Sequence, residues 1–357
     1  MTHFLHEILR QSDELRGAID FLCGGARSPL DEAAEAVRNA RHVYLTGIGS
    51  SWHAALNAGS LFHRGGFPVY IRDAADLLHF DTLPKDSVTI IISRTGRSAE
   101  VVNLLPKARK GRAQVIGVTN SGDGPLAHEA QVPLVIPVSL DHGISVNTYS
   151  TLSLAASALA SGVVGSFNVS LAASLARAVS DTARALPAWQ EQIANSSWLE
   201  AHSVYYFLAR STSLGSCHEA RLLWEEGVKS PATALGTGSF RHGPQEIVAK
   251  NVRFGLWIDG QHMREQDLAL ARDLRELGAC VMLIGQDLPD QGGDLVFQLP
   301  HIPPEWQFLI DIIPAQLAAE HLAWLSGVDC DSFRLCSYIV EDESGLLHKQ
   351  ELHDGNA

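Results

Sequence analysis

A run of hydroxyl residues around a glycine, Ser-Arg-Thr-Gly-Arg-Ser at residues 93–98, has side chains suited to holding a phosphate. It follows an apolar stretch and precedes a helical pattern that begins near Ala99. Hydroxyls donate to phosphate oxygens, and the free N–H groups at the start of a helix add donors and a positive dipole end. The glycine lets the backbone approach closely and take a positive φ. We predict that phosphate is bound here by Ser93, Arg94, Thr95, Gly96 and Ser98.

A second loop of this kind, Thr-Gly-Ile-Gly-Ser-Ser-Trp-His at residues 46–53, also follows an apolar strand pattern. Ligands bind at the carboxyl ends of parallel strands, so Gly49, Ser50 and Ser51 join the predicted binding set. The alternative is structural: Ser98 is then only a helix N-cap, and the two serines here are turn residues. A dinucleotide site is disfavoured, because the Gly-x-Gly lacks the third glycine of that fingerprint.

Acid–base chemistry is indicated in the second half of the chain. Glu219, Leu222, Leu223 and Glu226 fall at i, i+3, i+4 and i+7, which is one face of a helix. A carboxylate on the inner face of an apolar helix is costly unless it is used or paired. Sugar isomerisation needs a base that moves a proton between C1 and C2 and a group that assists ring opening, and Glu226 and His242 match those roles. The alternatives are a solvated glutamate and a His-Gly-Pro turn.

The elements that must position these residues alternate between strand and helix. Short apolar runs predict strands at residues 42–45, 69–71, 87–92, 114–118, 132–136, 204–208, 254–258, 280–284 and 295–297. Near-continuous apolar strands separated by helices are typical of parallel sheets covered on both faces. The spacing from Val88 to Val115, 27 positions, resembles that from Val252 to Val281, 29 positions. We therefore predict an α/β fold with two related, doubly wound lobes.

Five segments follow from this pattern. We expect an N-terminal helix at residues 1–27, a first lobe at 28–165, a helical connector at 166–195, a second lobe at 196–335 and a C-terminal tail at 336–357.

Composition excludes some classes of function. Among 357 residues, 46% are hydrophobic and 19% charged, as in a globular protein, and the net charge of −13 argues against nucleic acid as a partner. The five cysteines form no CxxC pair, which favours reduced thiols and a cytoplasmic location. There is no signal-peptide pattern, and the longest apolar run noted, residues 152–164, is shorter than the ~20 residues of a membrane span. We expect no membrane association and no metal site, since the histidines at 3, 6, 53, 63 and 79 are scattered.

The two loops and the second-half motifs together resemble the SIS (sugar isomerase) domain family over nearly the whole chain. The likeness is greatest to the isomerase half of glutamine–fructose-6-phosphate amidotransferases, to fructosamine-6-phosphate deglycases and to amino-sugar-phosphate deaminases. It is carried by Gly-Ser-Ser at 49–51, the loop at 93–98, Val-Asn-Thr at 146–148, and Phe-Arg-His-Gly-Pro at 240–244 followed by Glu-Ile-Val at 246–248.

The resemblance implies two flavodoxin-like parallel-sheet SIS lobes in tandem, with an N-terminal helix and a C-terminal tail. It implies a homodimer with shared active sites and a small sugar phosphate as ligand, with no cofactor. Glu226 falls on the catalytic glutamate of the family, Glu219 on a further active-site glutamate, and His242 on a ring-opening histidine donated by the neighbouring subunit. Asn147 and Thr148 join the predicted sugar-phosphate-binding residues.

Several positions depart from the amidotransferase pattern. A lysine three residues before the catalytic glutamate is replaced by Leu223, and the position nearest to the reactive tail lysine is Tyr338. His348 or Lys349 is a candidate to replace that amine. Ser239 stands where a glutamate is common in the family. The chain starts Met-Thr, without the N-terminal cysteine of a glutaminase domain, so glutamine-dependent synthesis is not expected of this chain alone.

The predicted function is that of a phosphosugar isomerase-type enzyme acting on a phosphorylated keto- or amino-sugar. Aldose–ketose isomerisation occurs alone or with loss of an amine, and deglycase or deaminase chemistry is preferred. The alternative from another class is a non-catalytic module that senses sugar phosphates.

Overall fold

The computed structural model describes residues 1–343; His348 and Lys349 lie outside this range. The described chain forms two parallel five-stranded sheets, each flanked by helices. The first sheet has the order β2-β1-β3-β4-β5, and the second has the order β10-β9-β8-β6-β7. Read from β7, the second order repeats the first, so the two lobes share one topology. The expected α/β class with two doubly wound lobes is confirmed.

The first lobe and its flanking helices occupy residues 3–194. Its strands are β1 His42–Gly47, β2 Tyr70–Asp73, β3 Ser87–Ser93, β4 Gln114–Thr119 and β5 Val132–Val135. Its helices are α1 His3–Cys23, α2 Arg27–Asn39, α3 Ser50–Arg64, α4 Ala74–His79, α5 Ala99–Gly111, α6 Pro125–Glu129, α7 Asn147–Val163 and α8 Val169–Ala194.

The second lobe occupies residues 204–325. Its strands are β6 Val204–Ala209, β7 Ala232–Gly236, β8 Val252–Trp257, β9 Cys280–Gly285 and β10 Leu295–Gln298. Its α-helices are α9 Leu214–Leu223, α10 Thr237–Phe240, α11 Arg264–Glu276, α12 Phe308–Asp311 and α13 Ile313–Leu325. A π-helical turn, Trp224–Val228, continues α9, and 3₁₀ turns span Ser211–Ser213, Pro244–Ile247 and Pro304–Trp306.

The buried strands and helices explain why the sequence folds in layers. Every residue of β3 is buried, as expected of a β-branched central strand covered on both faces. Helix α7 is buried around almost its entire circumference by α1, α2 and α3. The segment Phe308–Leu325 has the length and hydropathy of a membrane span, but 78% of it is buried inside the protein.

The candidate site is positioned by the strand order of the first sheet. Strands β1 and β3 are adjacent, although the chain visits β2 between them, so the strand order reverses at this point. Their carboxyl ends leave a crevice that parallel sheets use for ligands. The loops at 46–53 and 93–98 lie side by side there because one follows β1 and the other follows β3.

A close helix crossing joins the two lobes. Helix α3 of the first lobe packs on α9 of the second, and their backbones approach at Gly215. A Cβ at this position would lie 2.0 Å from Asn57 Oδ1 and 2.5 Å from the carbonyl oxygen of His53. The glycine therefore permits the contact through which the second lobe reaches the first-lobe loops.

Candidate active site

A cavity of about 250 Å³ lies at the carboxyl ends of β1 and β3. Both loops, the second lobe and the C-terminal tail contribute to its wall. The lining residues are Ile48, Gly49, Ser50, Ser51, Ser93, Arg94, Thr95, Ser98, Glu100, Ser145, Leu222, Glu226, Cys336, Ser337, Tyr338, Ile339 and Val340. Seven of the ten residues predicted for sugar-phosphate binding therefore meet the catalytic candidate Glu226 in one space.

The loop after β3 leaves its hydroxyl protons available. The hydroxyl of Ser93 accepts the Gly96 N–H at 3.0 Å, and the hydroxyl of Thr95 accepts the Arg97 N–H at 3.3 Å. Each hydroxyl therefore keeps its own proton for another acceptor. Ser98 occupies the N-cap position of α5, but its side chain makes no capping hydrogen bond, so the purely structural explanation of this serine does not apply.

Gly96 supports the cavity from behind and is not among the lining residues. Its φ is +66°, and a Cβ there would lie 2.7 Å from the Cβ of Leu126. The loop needs glycine for both reasons. The sequence predicted that Gly96 lets the backbone approach a phosphate, whereas in the structure this glycine allows the turn of the loop.

Residues 336–340 of the C-terminal tail cover the cavity and form what we call its roof. Carbonyl groups of this roof accept hydrogen bonds from donors that a bound phosphate would use. The Ala99 N–H at the start of α5 donates to the Val340 carbonyl at 2.9 Å. Arg94 Nη2 donates to the Tyr338 carbonyl at 2.7 Å, and the guanidinium lies 3.9 Å from the centre of the Tyr338 ring. Arg94 also donates to the Gly143 carbonyl and to Ser145, both at 3.2 Å.

Glu226 belongs to the π-helical turn and faces the cavity from the second lobe. Burial raises the pKa of its carboxyl to about 7, and the nearby Glu219 carboxyl acts in the same direction. Arg94 and Lys229 oppose the rise. A carboxyl that titrates near neutral pH can both accept and return a proton, which is what a proton shuttle requires.

Glu219 lies beneath the cavity wall and is only 1% exposed. One of its oxygens accepts from Ser50 Oγ at 3.0 Å, and the other lies 2.6 Å from His53 Nδ1. Burial raises the pKa of Glu219 to about 8 and lowers that of His53 to about 3. The predicted catalytic residue Glu219 thus contacts the cavity only through Ser50.

Asn147 and Thr148 do not line the cavity. Both side chains are fully buried, and both donate to the carboxylate of Asp141, at 2.9 Å and 2.6 Å. Asn147 also donates to the Glu7 carbonyl at 3.1 Å. Asp141 therefore uses the donors that were predicted for the sugar phosphate, and Ser145 of the same segment lines the cavity instead.

His242 is exposed on the second lobe, just after α10, and does not line this cavity. Within one chain, the structure does not bring the predicted ring-opening histidine to Glu226.

Several wall residues were missed by sequence reasoning. Glu100 is buried, two positions after Ser98, and one of its oxygens has no hydrogen-bond partner among the described residues. Leu222 lies four residues before Glu226, whereas Leu223, at the position of a family lysine, is buried and off the wall. The signal for Leu222 was its i,i+4 helical spacing from Glu226. Among residues 1–343, no group of three or more His, Cys, Asp or Glu side chains could hold a metal ion.

The equivalent corner of the second lobe is filled by carboxylates. Asp259, which follows β8, accepts the N–H groups of His262 and Met263 at 2.7 Å each, just before α11. Arg210, which follows β6, is paired with the buried Asp267 at 2.7 Å. The donors that would hold an anion in this lobe are thus already bound to side chains.

Comparison with known families gives this geometry a context. The family model described as SIS domain matches residues 36–161. The first lobe is a SIS domain. The matched range begins in α2 and ends in α7, so it contains both loops of the cavity. The SIS resemblance drawn from the loop motifs is confirmed.

Curated relatives match along almost the whole chain. Glutamine–fructose-6-phosphate aminotransferase (isomerizing) of Pyrococcus horikoshii is 26% identical over 347 residues, covering 92% of this chain and 56% of that protein. The enzyme of the same name from Symbiobacterium thermophilum is also 26% identical, over 93% of this chain and 58% of that protein. The chain thus spans a little over half the length of these relatives.

Solved structures share the two-lobed fold. The C-terminal domain of glucosamine-fructose-6-phosphate aminotransferase from Francisella tularensis superposes with a TM-score of 0.82 at 19% identity, covering 93% of this chain and 98% of that one. A glucosamine-6-phosphate deaminase from Thermotoga maritima superposes with a TM-score of 0.78 at 24% identity, covering 95% of this chain and 99% of that one. Tagatose-6-phosphate ketose/aldose isomerase from Escherichia coli superposes with a TM-score of 0.79 at 19% identity, covering 92% of this chain and 94% of that one. The fold of this chain, two α/β lobes in tandem, is therefore that of these structures.

Proposed function

We propose that this chain is an enzyme that isomerises a phosphorylated keto- or amino-sugar, with loss of an amine as the preferred outcome. One observation carries the proposal: a carboxyl with a pKa near 7, that of Glu226, faces the same cavity as the free hydroxyls of the loop at 93–98. A phosphate held on the loop would place the sugar carbons toward the carboxyl.

In this reaction Glu226 takes a proton from one of the two carbons nearest the carbonyl and returns it to the other. When the substrate carries an amine, water replaces it and ammonia or a free amine leaves. The superposed structures include a deaminase and a ketose/aldose isomerase, so both outcomes are known on this architecture.

We further propose a homodimer in which His242 of one copy reaches the cavity of the other. His242 and Gly243 are exposed on the single chain, while no histidine is found among the described residues that line the cavity. A symmetric pair would complete two equivalent sites. The free cysteines of the described residues are consistent with a reducing compartment, and we propose a cytoplasmic location.

A panel of phosphosugars tests the proposal. Fructose 6-phosphate, tagatose 6-phosphate, glucosamine 6-phosphate and fructosamine 6-phosphate are incubated with the protein, and isomer and ammonia or amine release are measured. Glu226→Gln should abolish turnover and leave binding nearly intact. The matched control is Glu225→Gln, since Glu225 is exposed and ion-paired with Arg221 at 2.8 Å. Turnover retained by Glu226→Gln would refute the assignment.

A non-catalytic sensor of sugar phosphates is the second candidate. It is favoured by the replacement of two family lysines, because Leu223 is buried and Tyr338 presents a ring and a carbonyl where an amine would be. Binding of one phosphosugar without turnover of any would support the sensor and exclude the enzyme.

A further inference from the structure

The hydroxyl of Ser50 differs from the other hydroxyls of the cavity in how its proton is used. Ser50 Oγ donates to Glu219 Oε1 at 3.0 Å. A serine hydroxyl has one proton and two lone pairs. With the proton committed, only lone pairs remain for a ligand. Ser93 and Thr95 show the opposite arrangement, since each accepts a backbone N–H and keeps its proton.

The direction of the Ser50 hydrogen bond is fixed by the other side of Glu219. Glu219 Oε2 lies 2.6 Å from His53 Nδ1, a distance that requires a proton between the two atoms. The pair is almost entirely removed from solvent, at 1% and 3% exposure. When the proton between the two atoms comes from the carboxyl, or when the carboxyl is ionised, Oε1 carries only lone pairs and accepts the hydrogen bond from Ser50.

Among residues 1–343, Ser50 is the side chain that is hydrogen-bonded to Oε1. The charged groups that shift the pKa of Glu219 are Arg221, on the same helix, which lowers it, and Asp141, from the segment before α7, which raises it. The charge of Arg221 lowers the pKa of His53 and that of Glu225 raises it. The ring of His53 stacks on that of His218, with the ring centres 5.8 Å apart.

A phosphate ester carries mostly acceptor oxygens at neutral pH, and an oxygen that presents lone pairs repels it. Sugar hydroxyls and ammonium groups, in contrast, bring hydrogens. We propose that Ser50 binds a hydrogen-bond donor on the carbon chain of the substrate, a hydroxyl or an ammonium group, and that His53 is the positioning residue that fixes this polarity through Glu219. The inference rests on the proposed function and divides the cavity into a phosphate-binding side at 93–98 and a donor-binding side at Ser50.

Calorimetric binding of three probes tests the division: inorganic phosphate, glucose 6-phosphate and glucosamine 6-phosphate. Ser50→Ala should weaken binding of both sugar phosphates by about tenfold and change inorganic phosphate binding by less than about twofold. Ser93→Ala is the matched control and should weaken binding of all three probes. If Ser50→Ala weakens inorganic phosphate as much as the sugar phosphates, Ser50 donates to the phosphate and the proposal is wrong.

Two variants of His53 separate positioning from packing and leave Ser50 in place. His53→Asn keeps a donor near the position of Nδ1 and should retain most of the sugar-phosphate affinity. His53→Leu removes it and should lose sugar-phosphate affinity as Ser50→Ala does, with inorganic phosphate bound no more weakly. Equal losses in both variants, or a loss shared by all probes, would refute the role of His53. A wild-type protein that binds no phosphate ester would refute the proposed function itself, which is a different outcome.

Discussion

The pKa of Glu226 is set by competing influences. Burial in the wall of the cavity and the nearby Glu219 carboxyl raise its pKa, Arg94 and Lys229 lower it, and the net result is a pKa of about 7. The charge of Arg94 therefore favours ionisation of the carboxyl at neutral pH.

We expect turnover to rise with pH and to reach half its maximum near pH 7, because a base must be ionised to accept a proton. Arg94→Met removes the charge that favours ionisation, so the pKa of Glu226 rises and the rising limb moves to higher pH, by about half a pH unit or more. Initial rates measured as a function of pH would show this.

Arg97→Met is the control, since Arg97 is in the same loop but pairs with Asp123 and is absent from the wall. If the rising limb of the pH–rate profile moves equally in both variants, the role given to Arg94 is contradicted.

At this scale, the sequence predicted which residues lie together where they are neighbours along the chain. Ser93, Thr95 and Ser98 belong to one short loop after a strand, and their joint position follows from that alone. Asn147 and Thr148 lie off the cavity wall because they bond to Asp141, and that contact could not be predicted since Asp141 is in an irregular segment without a periodic pattern. The contact between His53 and Glu219 joins two lobes, and nothing in the neighbouring sequence indicates it.

The turn at Gly96 shapes the loop that precedes α5. We expect Gly96→Ala to destabilise the protein by about 1–2 kcal/mol and to weaken phosphate binding, because its φ of +66° and the 2.7 Å approach to Leu126 both oppose a Cβ. Gly17→Ala is the matched control: this exposed position in α1 has no atom within 4 Å of the added Cβ, and the substitution should stabilise by ~0.5–1 kcal/mol. Denaturant unfolding measures both; equal effects would contradict the account of the turn.

The tail roof competes with a phosphate for donors. A chain ending at Arg334 should bind inorganic phosphate several-fold more tightly than a chain ending at Glu343, because the Ala99 N–H and Arg94 no longer donate to tail carbonyls. Calorimetry on the two truncated chains would test this. Weaker binding after removal of residues 335–343 would mean that the roof itself contributes phosphate contacts.

The strands followed the sequence patterns closely, and one strand was omitted from the prediction. Strand β7, Ala232–Gly236, lies at the edge of the second sheet, and its sequence of small residues lacks the β-branched run that marked the others. The π-helical turn at Trp224–Val228 was also not foreseen, since a helical pattern does not distinguish an i+4 from an i+5 hydrogen bond.

At the scale of the molecule, the proposed sharing of sites between two copies makes a prediction for mixtures. Glu226→Gln and His242→Asn should each be inactive alone, yet a remixed sample should regain about a quarter of wild-type activity, since half of the dimers are hybrids and each hybrid has one intact site. Activity of the separately purified and remixed proteins measures this. A remixed sample that stays inactive would show that the two residues do not act across subunits.

The repeat of strand spacing predicted two related lobes, and the matching strand orders explain it. Their mutual placement was not predictable from the same spacing. It depends on the crossing of α3 and α9 at Gly215, where a single missing side chain sets the distance between the first-lobe loops and Glu219.

The second lobe differs from the first at the corner where an anion would sit. Asp259 and Asp267 occupy the donors there, whereas the first lobe keeps its corner open to the cavity. The second lobe instead supplies Glu226 to the wall of that cavity. Within residues 1–343, the two lobes are therefore alike in topology but not interchangeable, because the hydroxyl loops belong to one and the carboxyl that faces them belongs to the other.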